Sequence, residues 1–405
     1  MSSSGALFRR VTTGLGALGL ALSTAAWAGV LVQTQVLTDG DPGVTGLQAP
    51  RQVVVSPDGE NVYVAAEQGT ITVWSRDDET GSGKLHETQV LQDGVGGVKG
   101  LTFVSNVSIS GDGKTVYAGG THAGTLAVFS RDAATGKLTE VQLLTNGLDL
   151  PSGLGGIVAT AVSRDLKNLY SVGTLDGAIV AFERDRKTGK LNPIQVIEQG
   201  VGGVTGLTGA FPVMVSGDGR FVYVGGRLDN TVKVYGRDRF GKLSLVQTLN
   251  EGQNGVFGIA GARYILESGD AQTVYIAGLA HSTLAVFSRN ASTGKLTEIQ
   301  LLANKVAGIT GLASPTSIVE SYDHLHLFVV GFDSFAIDSF HRNRLNGKLT
   351  RLEEETQDSV GDVTGLVQVI SAAMSPGGHN LYAVSFFSNS LSVFNIQEID
   401  HDKVP

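Results

Sequence analysis

The chain has 405 residues, 55 of them glycine, with 7% aromatic residues, no cysteine and a formal charge of −8. Without cysteine there is no disulfide framework, no thiolate nucleophile and no thioether lipid anchor. The acidic balance argues against nucleic acid or anionic lipid as a partner, and Val/Ile/Thr-rich runs broken by Gly and Asp argue for many short strands.

Residues 1–28 differ in kind from the rest. Arg9 and Arg10 give a basic start, Val11 to Thr24 a short apolar stretch, and Ala26-Trp27-Ala28 a small-x-small pattern. Together they read as a secretory signal cleaved after Ala28. The arginine pair raises twin-arginine export, but Thr12 and Thr13 follow where that signal has bulky apolar residues, which favours the general route. Loss of Arg9 and Arg10, with no acid among residues 1–28, would take the charge from −8 to −10. The expectation is an exported protein, periplasmic or secreted, with no membrane insertion, because no later apolar run is long enough to span a bilayer.

From Leu31 onward the chain repeats itself. Tyr63, Tyr117, Tyr170, Tyr223, Tyr275, Phe328 and Tyr382 recur every 52–54 residues, and Trp74, Phe129, Phe182, Tyr235, Phe287, Phe340 and Phe394 every 52–55. Each unit reads as four strands joined by tight turns. In the second they are SNVSIS, KTVYAGG, TLAVFSRD and KLTEVQLL, with Gly111–Gly113 and an ATG turn between them. Seven such units predict an all-β fold, a seven-bladed β-propeller of four-stranded antiparallel blades spanning residues 29–396, followed by a tail at 397–405. The first strand, apolar at Val53, Val54 and Val55, is expected to be covered on both faces, and the alternating third strand to lie less deeply.

The seventh unit ends near Asn395 without a fourth strand, whereas the expected mature part opens with LVQTQVL (Leu31–Leu37), a near-copy of LHETQVL, LTEVQLL and LTEIQLL, which close other units. Pairing this strand onto the last blade would leave no open edge of unpaired N–H and C=O groups. Gly-rich segments between units, such as GVTGL at Gly43–Leu47 and GVKGL at Gly97–Leu101, suggest phosphate cradles, but none opens a helix and their recurrence in every unit assigns them to the fold.

SPDGENVYVAA, SGDGKTVYAGG, SGDGRFVYVGG and VFSRDAATGKL resemble the lactonase-type seven-bladed β-propellers over residues 31–396. The resemblance implies, as one possibility, hydrolysis of a sugar lactone such as 6-phosphogluconolactone. In that family a His commonly lies five residues before the SPDG serine. The equivalents here are Arg51, Ser105, Val158, Phe211, Arg263, Thr316 and Ile370, so a neutral-pH base would have to come from elsewhere.

Arg51 and Arg263, in blades 1 and 5, are candidate ligand-binding residues for a phosphate, a sugar acid or a carboxylate. The alternative is that each caps carbonyls of its own interblade loop. Glu267 and Glu320 share one repeat position and suit either an acid–base pair or a structural role, the latter favoured. His324 and His326 alternate along one strand without a third metal ligand, and His122 and His281 fall in equivalent loops. Asp39, Asp41, Asp93, Asp176, Asp229, Asp358 and Asp362 gather at the same mouth. Asp39-x-Asp41 alone is short of a calcium set, so no cofactor is expected and a divalent metal has no defined site. No Gly-x-Ser-x-Gly elbow is present. The expected function is an extracytoplasmic binding scaffold, monomeric, holding a protein or small anionic ligand by its mouth loops. The alternative is a lactonase acting at the central channel.

Overall fold

The computed structural model describes residues 31–77 and 81–396, with the side chains of residues 353–355 left aside. The expected signal and tail lie outside the described residues. Seven four-stranded antiparallel sheets form the blades of a ring, and among the described residues there is no helix. Blade 1 runs outward from its inner strand, Pro50–Val55, through Asn61–Ala66 and Thr70–Arg76 to Leu85–Gln92. Five more blades repeat this order. In blade 7 the N-terminal strand Leu31–Thr38 is the outermost, paired with Ser390–Ile396 from Leu31↔Ile396 to Thr38↔Ser390.

Burial corrects two expectations. The inner strand is only half-buried, with Val54 and Val55 open to the central channel, because its outer face meets neighbouring blades and its inner face meets a cavity. The second strand is buried at every position, and the third, expected to lie less deeply, is buried at six of seven positions in blades 1 and 2. The middle strands carry the sandwiched faces between blades.

Two side-chain devices hold blade to blade. Outer strands carry a bulge just before a glutamine, as between Gln33 and Gln35, and the glutamine beyond it reaches the neighbouring blade. Gln35 accepts from Leu85 N (2.8 Å) and donates to Leu85 O (3.1 Å), and the same two bonds join Gln89 to Leu138, Gln142 to Leu191, Gln195 to Leu243, Gln247 to Leu296 and Gln300 to Leu349. The N-terminal strand therefore both completes blade 7 and fastens it to blade 1.

The second device explains the tyrosine period. Each tyrosine donates to a turn glycine of the next blade and accepts from that blade's buried arginine. Tyr63 bonds Gly136 O (2.9 Å) and Arg131 Nε (2.7 Å), and Tyr382 bonds Gly83 O (3.0 Å) and Arg76 Nε (2.7 Å). Arg131 also pairs with Asp58 of the SPDG turn at 2.8 Å, as do Arg237 with Asp165 (3.0 Å), Arg289 with Asp218 (2.7 Å) and Arg342 with Asp270 (2.7 Å). The turn aspartate is thus a counter-ion across the seam. Between blades 6 and 7 both partners are apolar: Phe328 stands for the tyrosine, Ile396 for the arginine, and both pack in one cluster with Leu31 and Phe394. Losing the pair together avoids a buried unpaired charge, which is costlier than an apolar seam.

This co-substitution is testable. Phe328→Tyr alone buries a hydroxyl with no guanidinium to meet it and should cost about 1–3 kcal/mol. Adding Ile396→Arg should recover part of that loss, and a double-mutant cycle by chemical denaturation that finds the two changes additive would contradict the seam account.

Burial pushes Tyr63, Tyr170, Tyr223 and Tyr275 up to about 12 despite the adjacent arginines. Unfolded tyrosine ionises near 10, so stability should be full below that pH and fall as pH rises from about 10 to 12. At the acid end, burial alone would raise Asp58, Asp165 and Asp270, but hydrogen bonds from the turn serine and the seam arginine outweigh it and leave them below the ordinary 3.8. Their contribution is present above that value and lost as pH falls below it. Thermal melts against pH should show a plateau with both shoulders, and absorbance titration should find these tyrosines ionising only with unfolding. Tyrosinate absorbance complete near pH 10 in folded protein would contradict it.

Candidate functional site

The seven inner strands enclose a channel cavity of about 800 Å³. Its mouth is built by one repeated backbone device. The residue before each inner strand has positive φ, and its carbonyl accepts from the first residue after the second strand, as in Glu67 N to Ala49 O (3.0 Å) and Arg227 N to Gly209 O (3.3 Å). This bond sets residue 51 beside residue 67, 105 beside 121, and 211 beside 227.

Arg51 is fixed by its neighbour. Its Nε and Nη2 lie 2.6 Å and 2.5 Å from Glu67 Oε1, and its guanidinium lies 4.3 Å from the ring centroid of Phe386 in blade 7. Arg263 stacks equivalently on Phe211 of blade 4, at 3.7 Å, but it has no carboxylate and makes no hydrogen bond among the described residues. Among the described residues neither arginine caps a loop carbonyl, so that alternative is not seen for the pair. Burial within the channel, together with repulsion from Arg51 and Arg227, lowers the Arg263 guanidinium well below its ordinary value, to about 9. Arg227, not singled out from sequence, lies 5.9 Å from the same Phe211 ring with its buried Nε unpartnered. Three guanidinium groups thus gather near the channel opening, and the carboxylate paired with one of them, Glu67, has an Oε2 that carries no hydrogen bond from the described residues.

The channel walls differ by side. Across blades 1–3, Gln52 Oε1 accepts from Asn106 Nδ2 (2.9 Å) and Val107 N (3.1 Å), and Asn106 Oδ1 accepts from Thr160 Oγ1 (2.8 Å). Blades 4 and 5 offer Pro212, Met214, Tyr264 and Leu266 instead. A ligand with a hydroxylated edge and an anionic group fits this arrangement.

The remaining candidates serve the fold. Glu267 Oε2 accepts from Gly217 N of blade 4 (2.5 Å), and Oε1 lies 2.9 Å from Arg289 Nε without hydrogen-bond alignment. Burial raises this carboxyl. Glu320 Oε2 accepts from Gly269 N of blade 5 (2.7 Å) and meets His324 Nδ1 at 2.9 Å. These glutamates are separate seam contacts, each bound to a different turn. His122 stacks on Phe103 (3.8 Å), His281 lies 3.6 Å from Glu251, and His326 lies edge-on to His341. Most of the mouth aspartates accept backbone N–H groups: Leu47 N bonds Asp39 (2.9 Å), Thr38 N bonds Asp41 (3.0 Å), Leu101 N bonds Asp93 (3.0 Å), Gly153 N bonds Asp176 (2.7 Å), Thr208 N bonds Asp229 (2.7 Å) and Leu366 N bonds Asp358 (2.7 Å). Among the described residues no group of three or more acidic or histidine side chains is placed to hold a metal ion, and no helix is long and apolar enough to cross a membrane.

Several solved propellers share this architecture. A candidate 6-phosphogluconolactonase of Bacteroides uniformis is 20% identical, with a TM-score of 0.61 over 76% of this chain and 85% of that one. Its counterpart from Bacteroides fragilis is 19% identical, with a TM-score of 0.61 over 78% and 87%. A chain of the mitotic checkpoint complex superposes with a TM-score of 0.64 over 96% and 99% at 16% identity, so likeness at this level speaks for fold alone. No curated protein matches in sequence. The profile of the family described as lactonase, 7-bladed beta-propeller matches residues 39–154, 159–302 and 228–367, and with that coverage the chain belongs to the lactonase seven-bladed β-propeller family.

Proposed function

We infer that the protein hydrolyses a sugar lactone bearing an anionic group at the channel mouth. The observation that carries this is Arg263, a cation held in the channel wall without a counter-ion, in a chain of the lactonase family. Two bacterial structural neighbours named as candidate 6-phosphogluconolactonases suggest a sugar lactone as the substrate to try first.

The chemistry follows from the mouth. Glu67 is anchored through Oε1 by Arg51, which leaves Oε2 to take a proton from water attacking the lactone carbonyl. The oxyanion develops beside the Arg51 guanidinium. Cleavage of the ring C–O bond then expels the ring oxygen, which takes the proton back as the new hydroxyl and leaves a hydroxy acid. Arg263, with Arg227, binds the anionic substituent and fixes the carbonyl in place.

A second reading, the exported binding scaffold, is favoured by Val95, Leu148, Val201, Val306 and Val360, exposed aliphatic side chains at one loop position of five blades on the mouth face. It retains ligand binding without turnover.

Acid release from 6-phosphogluconolactone and from gluconolactone, measured against spontaneous hydrolysis, separates the two. Glu67→Gln should lower kcat about 10²-fold or more, whereas Arg263→Met should raise KM for the phosphorylated lactone selectively. No turnover above the spontaneous rate, or a fully active Glu67→Gln, would overturn the hydrolase reading.

Stability gives an independent check. Removing the unpaired cation by Arg263→Met should raise stability in anion-free buffer by roughly 1–3 kcal/mol, less than for a dry site because water enters the channel. Phosphate should raise the melting temperature of the wild type and not of the variant. A variant that melts lower, or that still responds to phosphate, would contradict Arg263 as the anion site.

A further inference from the structure

A second cavity of about 750 Å³ opens on the mouth face between blades 7, 1 and 2. Its charged groups are already engaged. Asp93 accepts from Leu101 N (3.0 Å) and Thr102 Oγ1 (2.7 Å), Glu67 is paired with Arg51, and Arg51 itself covers the Phe386 ring. An anion arriving here would find no cation free to meet it, and a cationic ligand would find the Phe386 face taken by a guanidinium.

Two kinds of group remain open: exposed aromatic rings and side-chain amides. Phe387 is 70% exposed, and Phe103, stacked on His122 by one face, is 41% exposed. The Gln48 amide makes no hydrogen bond among the described residues. Asn389 accepts from Ala49 N (2.8 Å) and keeps its NH₂ to donate, and Gln68 donates to Thr70 Oγ1 (3.3 Å) and keeps its carbonyl. Phe103 also sits at φ 52°, a conformation every blade adopts at this place, with Ala49, Ser314 and Gln368 in blades 1, 6 and 7 and Gly156, Gly209 and Gly261 in blades 3, 4 and 5.

Flat apolar rings combined with free amide donors and acceptors match one ligand chemistry: a neutral pyranose, whose C–H face packs on an aromatic ring while its hydroxyls bond amides. We propose that this cavity is a neutral-sugar subsite. Glu67 and Phe103 line both this cavity and the channel, so a sugar held here continues into the mouth. The ligand is then an aldonic acid or lactone carrying at least one further glycosyl unit, a lactone placing its carbonyl at Glu67 and Arg51 and any anionic group lying toward Arg263. That extension rests on the hydrolase reading, whereas the subsite itself is read by binding alone.

Calorimetric titration with gluconate, maltobionate, cellobionate and lactobionate tests it. At least one of the three bionates should bind about tenfold or more tighter than gluconate. Phe387→Ala should bring that bionate down to the gluconate level without changing gluconate itself. Phe103→Gly should do the same while melting no lower than the wild type, since it relieves the backbone. Phosphocholine should not compete. The proposal is overturned if no bionate exceeds gluconate, if the preference survives Phe387→Ala, or if phosphocholine displaces the bionate. Failure of the hydrolase reading alone would appear differently, as a bionate preference intact in a protein that turns over no lactone.

Discussion

The buried guanidinium at the blade seam is the interaction on which the rest of the ring depends. Each of six arginines sits among a tyrosine hydroxyl of the preceding blade and the carbonyl of its own first turn, and most add a turn carboxylate from the preceding blade. A guanidinium buried this way is tolerable only when its donors are nearly all engaged, so angle and spacing between blades are set narrowly at each seam. The glutamine bonds do the same at the outer rim. With both devices the blades can leave their inner strands uncovered, and an open channel costs little because no seam relies on it for packing.

Regularity and divergence are separated in space by this arrangement. Seams lie on the turn side and between the middle strands, where the seven units are nearly alike. At the mouth the same backbone hydrogen bond presents two side chains per blade, and there the units diverge: Arg51 with Glu67, Ser105 with Thr121, Phe211 with Arg227. A symmetric scaffold thus displays an asymmetric ring of chemistry. Arg51 and Arg263 occupy equivalent places and both stack on an aromatic ring of the preceding blade, yet only one has a carboxylate. That difference makes one a positioned electrostatic group and the other a cation available to a ligand.

Strand order, blade number and ring closure were legible because they are written in periodic apolar and aromatic positions that recur seven times. LVQTQVL could be placed on blade 7 for the same reason. The depth of each strand was not legible. Val53–Val55 reads as a run buried on both faces, but apolar residues also line a channel, and alternation alone cannot tell a channel from a neighbouring blade. The seam itself was present in the sequence as an arginine following each VFS-type strand and missing only after Phe394, a signal visible once the tyrosine it meets is known. Arg51 and Arg263 stood out by position. Arg227 and Glu67 did not, because their importance comes from a backbone bond that joins residues sixteen apart, and nothing in the local pattern of AAEQG or GGRLD announces it.

The central claim is that Arg263 is the anion-binding group of a channel whose Glu67–Arg51 pair stays closed. A high-resolution structure with gluconate bound tests it most directly. The account predicts the carboxylate within hydrogen-bond distance of the Arg263 guanidinium, its hydroxyls directed to the Gln52, Asn106 and Thr160 wall, and Glu67 still paired with Arg51. Gluconate bound at another place on the ring, or bound by Arg51 with Glu67 displaced, would contradict it.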